Sequence, residues 1–144
     1  MNRIKLTLPQ VFHFSTEMVI RITDLNYGGH VGNDVFLSLV HEARQQYLLS
    51  LGYQELSFAG TGLIMADVAI EYKKELNYSD KVRIEVAAAD LDKLGFDLYY
   101  KLDVYTAEGW ITAAKAKTGM ICYDYDAKKK VSIPEEAVNK LTHH

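Results

Sequence analysis

Asp24-Leu25-Asn26-Tyr27-Gly28-Gly29-His30-Val31-Gly32-Asn33 is the stretch whose reading decides the fold. Upstream, Phe14 to Ile22 alternates with period two. Phe14, Thr16, Met18, Ile20 and Ile22 fall on one face, as in a half-buried strand. Downstream, Phe36, Leu39, Val40, Ala43, Tyr47, Leu48 and Leu51 recur at three- and four-residue spacing. That spacing predicts an amphipathic helix over Asp34 to Leu51, roughly 27 Å long. Asn33 suits its N-cap, Asp34 the positive end of its dipole, and Gly52 its stop. The glycine-rich stretch therefore joins a strand to a long helix. It carries Asp, Asn and His just before exposed backbone N–H groups that suit an anion or a developing oxyanion.

The rest of the chain reads as strands. Leu63 to Lys74 alternates, with Ile64, Val68, Ile70 and Tyr72 on one face. Asn77 to Asp80 turns. Val82, Ile84, Val86 and Ala88 mark another strand, and Asp90 to Lys93 another turn. Leu94 to Val104 alternates without a break, and Trp110 to Tyr125 is the last long strand. Its inner face is small in the middle, at Ala114, Ala116 and Thr118, then Met120 and Cys122. Asp126 to Lys130 is a charged turn, and Pro134 to Leu141 fits a short surface helix. The order predicts an α+β fold in which five antiparallel strands form a curved sheet around one long helix. Exposed sheet edges of that length predict a dimer.

Composition bounds the function. A chain of 144 residues makes one domain, expected to span residues 1–144. The net charge of −3 argues against bulk nucleic-acid binding. No run approaches the ~18 apolar residues of a membrane span. Met1 to Gln10 lacks an apolar signal core. A single cysteine, Cys122, excludes an internal disulfide and fits a reducing compartment. These features lead to the expectation of a cytoplasmic protein. His143 and His144 receive no role.

The element order and the glycine-rich segment together resemble the hotdog fold. More narrowly, they resemble acyl-CoA thioesterases of the 4-hydroxybenzoyl-CoA thioesterase type. That group carries Asp-x-Asp-x-x-Gly-His-Val-x-Asn, then a helix with Glu-x-Ala-Arg or a close variant. Residues 24 to 33 match the first part except at position 26, and His41-Glu42-Ala43-Arg44 stands in the helix. Ile70-Glu71-Tyr72 and Asp80-Lys81-Val82 resemble a further strand and turn of the family. The resemblance spans about residues 12 to 134. It implies a homodimer or homotetramer with the site at the subunit interface, by the start of the central helix. It also implies an acyl-CoA or acyl carrier protein thioester as substrate, with no metal or other cofactor.

On that resemblance the oxyanion donor is the backbone N–H of Asn33, seven residues after position 26. The family's catalytic carboxylate would stand at Asn26, where an amide is neither a base nor a nucleophile. Asp24 has the missing chemistry and reaches the site through a water if the segment is extended. His30 is the other candidate base, since histidine ordinarily titrates near neutrality. Tyr27, Val31, Phe36 and Tyr72 are candidates for the acyl pocket. Glu42 and Arg44 either line the pocket or pair structurally. Lys73, Lys74, Lys115 and Lys117 are candidate contacts for coenzyme A phosphates. Plainer roles compete throughout. Asp24 and Asn26 suit strand-end turns, His30 a backbone contact, Cys122 the core, and Asp67 the face away from the helix. Two other functions stay open at this level: a hydratase of the same fold, and a non-catalytic thioester binder that has lost its carboxylate at position 26.

Overall fold

The computed structural model describes residues 1–143, so His144 lies outside the described residues. The long strands are β1 (Phe14–Val19), β2 (Gly62–Tyr72), β3 (Lys81–Ala89), β4 (Gly95–Thr106) and β5 (Gly109–Asp124). A two-residue β6 (Lys129–Lys130) adds to the end of β5. The helices are α1 (Asn33–Ser50) and α2 (Glu135–Thr142). The sheet is antiparallel in the order β1-β3-β4-β5-β2, so β1 and β2 are its edges. The sixth strand, absent from the five-strand expectation, is the short return of the Asp126–Lys130 hairpin. Asp124 Oδ1 closes that turn by accepting the Asp126 and Ala127 N–H groups.

The inner face of β5 is small at Ala114, Ala116 and Thr118, all at most 1% exposed. The helix α1 comes closest to the sheet at β1 and β3 and buries Phe36, Leu39, Val40, Ala43, Tyr47 and Leu48. Each such large side chain contributes about 1.5–3 kcal/mol when fully buried. The edge of the Phe14 ring meets Tyr47 at a centroid separation of 5.6 Å. Gly52, at φ +84°, ends the helix as expected, with the Tyr53 N–H donating to the Leu48 carbonyl.

Four expectations are corrected. First, β1 ends at Val19 rather than Ile22. Residues Ile22–Asp24 form a single 3-10 turn, and Ile22 is 66% exposed. Second, the N-cap of α1 is Gly32, and Asn33 is its first helical residue. Third, a bulge between Met65 and Asp67 shifts the phase of β2. Leu63, Met65, Val68, Ile70 and Tyr72 pair with the inner-face residues Cys122, Met120, Thr118, Ala116 and Ala114. Ile64 therefore falls on the opposite face from Val68. Fourth, Asp24 is not on an extended segment beside Asn26. Its Oδ2 accepts the Arg21 N–H at 2.8 Å, and Oδ1 lies 3.5 Å from the Arg21 guanidinium. The carboxylate is used to close the turn.

Candidate active site

The segment from Leu25 to Val31 is a small hairpin closed by a bridge between those two residues. The Asn26 N–H donates to the His30 carbonyl at 2.8 Å, and the Gly29 N–H to the Asn26 carbonyl at 3.0 Å. Gly29 sits at φ +82°, which L-residues with a side chain rarely adopt. Asn26 Oδ1 accepts the Gly28 N–H at 2.9 Å and the His30 N–H at 3.4 Å. Only an oxygen can accept those two donors, so the orientation of the amide is fixed. Its Nδ2 is left on the side of Gly32, where a β-carbon would stand 3.7 Å from it. Asn26 therefore presents N–H donors, not an acceptor, toward the helix start.

At that start, Val35 and Phe36 donate to the Gly32 carbonyl, and Gly32 supplies no side-chain cap. The N–H groups of Asn33 and Asp34 thus have no intrahelical acceptor. Tyr72 braces the turn. Its hydroxyl donates to the Asn33 carbonyl at 3.3 Å, and its ring meets Phe36 edge-on at 5.2 Å. Burial, then the nearby Asp34 carboxylate, push the Tyr72 hydroxyl pKa up, so it stays a donor.

The Val31 N–H donates to the Leu76 carbonyl, which brings the segment after β2 against the hairpin. His30 Nδ1 lies 3.0 Å from Asn77 Oδ1 and 3.5 Å from Glu75 Oε2. A proton on Nδ1 would be held by both oxygens, leaving Nε2 as the basic nitrogen.

These groups surround one cavity of about 460 Å³. It brings together Asn26, His30, Val31, Asn33, Phe36 and Tyr72 from the sequence reading, with Lys73 and Lys74 at its wall. Four proposed residues do not join them. Asp24 is committed to its turn. Tyr27 projects fully into solvent at 108% relative exposure, so it lines no acyl pocket in this chain. Glu42 lies on the exposed face of α1 and accepts from Gln46 Nε2 at 2.8 Å. Arg44 is buried and pairs with Glu55 at 2.7 Å within the same chain.

Sequence reasoning missed Glu75 and Asn77. Neither belongs to a local motif with His30, and only the packing of residues 45 and 47 positions downstream brings them there. The lysine candidates divide. Lys117 is held by Asp67 and Asp97, and Lys115 lines a different cavity beside the N-terminal segment. Lys73 pairs with Glu71 at 2.9 Å. Cys122 is buried, which pushes its thiol pKa up and keeps it a core residue. Among the described residues no group of three His, Cys, Asp or Glu side chains is placed to hold a metal, and no helix is long and apolar enough to cross a membrane.

A curved antiparallel sheet around one long helix is the hotdog fold. The chain belongs to the thioesterase-like superfamily, whose pattern matches residues 20–141. It is 30% identical over 122 residues to a 1,4-dihydroxy-2-naphthoyl-CoA hydrolase of Microcystis aeruginosa, covering 83% of this chain and 86% of the relative. The solved 1,4-dihydroxy-2-naphthoyl-CoA thioesterase of Synechocystis superposes with a TM-score of 0.79 at 20% identity, covering 90% of this chain and 96% of that one. The 4-hydroxybenzoyl CoA thioesterase of Pseudomonas sp. strain CBS-3 does so with a TM-score of 0.79 at 14% identity, covering 90% and 99%. At those identities the two structures establish the shared fold.

Proposed function

We propose that this thioesterase hydrolyses an acyl-CoA thioester, with His30 as general base and the start of α1 as the oxyanion site. The observation that carries the reading is the orientation of Asn26. Two backbone donors turn its oxygen inward and leave Nδ2 on the side of Gly32, the N-cap of α1. In this reading the thioester oxygen takes hydrogen bonds from Asn26 Nδ2 and the Asn33 N–H. Water attacks the carbonyl carbon and gives its proton to His30 Nε2. The C–S bond then breaks, and the departing thiolate takes that proton. Glu75 and Asn77 act through His30, fixing the Nδ1 proton and favouring the imidazolium as it forms. The lost carboxylate at position 26 is replaced in function by a histidine, not by Asp24.

The curated relatives act on a bicyclic aromatic CoA thioester, which makes aryl-CoAs the first substrates to try. We further read the protein as a cytoplasmic homodimer or homotetramer that needs no metal or other cofactor. Met65, Val68 and Tyr72 are large side chains left exposed along the unpaired edge β2, and they support self-association there. The test is thiol release from short, medium, long and aromatic acyl-CoAs by purified protein. No release above background from any of them overturns the reading. Binding without release would favour the non-catalytic reading that Asn26 first raised.

A further inference from the structure

Tyr72 is the last residue of β2, at the open edge of the sheet. Immediately after it, the Lys73 and Lys74 N–H groups both donate to the Ala113 carbonyl, at 2.8 and 3.0 Å. Those bonds pin the strand end to β5, where Tyr72 is paired with Ala114. The Tyr72 ring stands edge-on to Phe36, itself 3% exposed, so the core sets its direction. Its hydroxyl then reaches the Asn33 carbonyl at 3.3 Å.

That carbonyl belongs to the peptide unit whose N–H is carried by Asp34. The helix uses one of its lone pairs and leaves the other to Tyr72. A trans peptide unit is planar, and its C=O and N–H point in opposite directions. Holding the carbonyl therefore sets the direction of the Asp34 N–H, one of the donors left free at the helix start. The hydroxyl also polarises the unit, because hydrogen bonds in a chain strengthen one another, and this makes the Asp34 N–H a better donor. The first turn has no side-chain cap of its own, since its N-cap is Gly32. Tyr72 supplies from β2 the restraint that the helix lacks. Gly32, Asn33, Phe36 and Tyr72 all line the cavity that holds Asn26 and His30, so the restrained peptide adjoins that cavity.

We infer that Tyr72 is a positioning residue: it holds the Asn33–Asp34 peptide so that the Asp34 N–H joins the Asn33 N–H as a second donor to the substrate's carbonyl oxygen. The inference rests on the proposed use of the helix start as the oxyanion site, and it assigns Tyr72 a role exerted through the backbone.

The test compares wild-type protein with Tyr72→Phe, which keeps the ring against Phe36. Tyr72 is 45% exposed, so water replaces part of the lost bond and the variant is expected to keep its fold. With the best aryl-CoA, kcat is expected to fall about three- to tenfold while KM stays within about twofold. The direct readout is the infrared carbonyl stretch of a bound benzoyl-CoA analogue in which CH2 replaces the thioester sulfur, so that it cannot be hydrolysed. Stronger donation lowers that stretch, which is expected to lie lower in wild-type protein than in Tyr72→Phe. A merely structural tyrosine would change the melting temperature and leave both the stretch and kcat alone. Equal stretches in the two proteins overturn the inference, as does a kcat within about twofold of wild type. Equal stretches beside wild-type turnover remove the positioning role and leave the hydrolase reading standing. A stretch that rises in Tyr72→Phe, in protein that releases no thiol, supports the positioning role while overturning the hydrolase reading. Wild-type protein that neither turns over acyl-CoAs nor binds the analogue overturns both.

Discussion

Replacing Asn26 with alanine separates its two roles, as a brace for the hairpin and as a donor to substrate. As a brace it holds the Gly28 N–H at 2.9 Å and the His30 N–H at 3.4 Å in an exposed turn. Water replaces part of what alanine removes there. The stability loss is therefore about 1 kcal/mol, or a melting-temperature drop of about 2–4 °C for a chain of this size. As a donor its removal costs the transition state about 2.7–4 kcal/mol, or 10²–10³ in kcat, with a smaller change in KM. The assay is thiol release from the best acyl-CoA, run beside thermal unfolding. Asn26→Asp sharpens the test. A carboxylate accepts the same two backbone N–H groups, so the hairpin keeps its shape. It also sets a negative charge where oxyanion charge develops, and activity should fall. A folded Asn26→Ala protein whose kcat stays within threefold of wild type would refute the donor role. A tenfold gain in Asn26→Asp would show that the site works through a carboxylate and has lapsed in this chain.

His30→Ala should lower kcat by about 10²–10⁴ in the thiol-release assay. Glu75→Gln should leave KM near its original value and lower kcat less than His30→Ala does. An unchanged kcat would exclude Glu75 as a partner of His30. The Tyr47 hydroxyl is buried without a hydrogen-bond partner among the described residues, so Tyr47→Phe should match or exceed wild-type stability, by up to about 1 kcal/mol in urea unfolding. A clear loss would reveal a partner. Burial pushes the hydroxyls of Tyr47 and Tyr53 up to about 12, against 10.0 for an ordinary tyrosine. The unfolded chain then releases protons first, so stability should fall between about pH 10 and 12, less steeply in Tyr47→Phe. A stability profile flat to pH 12 would contradict this. A β-carbon on Gly95 would stand 1.9 Å from the Met120 carbonyl oxygen, a backbone atom of the paired strand. Gly95→Ala should therefore cost at least about 1–3 kcal/mol, read as a lowered melting temperature.

Much of the fold was legible because period two and period 3.6 survive intact in the chain. Alternation marked β4 without ambiguity, whereas the small run Ala114, Ala116, Thr118 did not show where α1 comes closest, which is at β1 and β3. Legibility failed where backbone geometry broke the period. The bulge at Met65 to Asp67 moved Ile64 to the opposite face, and no residue type there announces it. The 3-10 turn at Ile22 to Asp24 turned a presumed catalytic carboxylate into a turn closure. The local motif placed Asn26, His30 and Asn33 together, because a hairpin and the following helix start are contiguous in sequence.

What the sequence determined by itself was the α+β order, the position of the glycine-rich segment before the helix, and the absence of a carboxylate at position 26. Those follow from local periodicity and from the identity of one side chain. Tertiary structure alone decided which way the Asn26 amide points, and that His30 stands beside Glu75 and Asn77. It also decided that Asp24, Tyr27 and Glu42 stand apart from the cavity, and that Tyr72 reaches the first turn of the helix. The reason is physical. Orientation and partnership depend on backbone donors and on side chains brought in from distant positions, and spacing along the chain records neither.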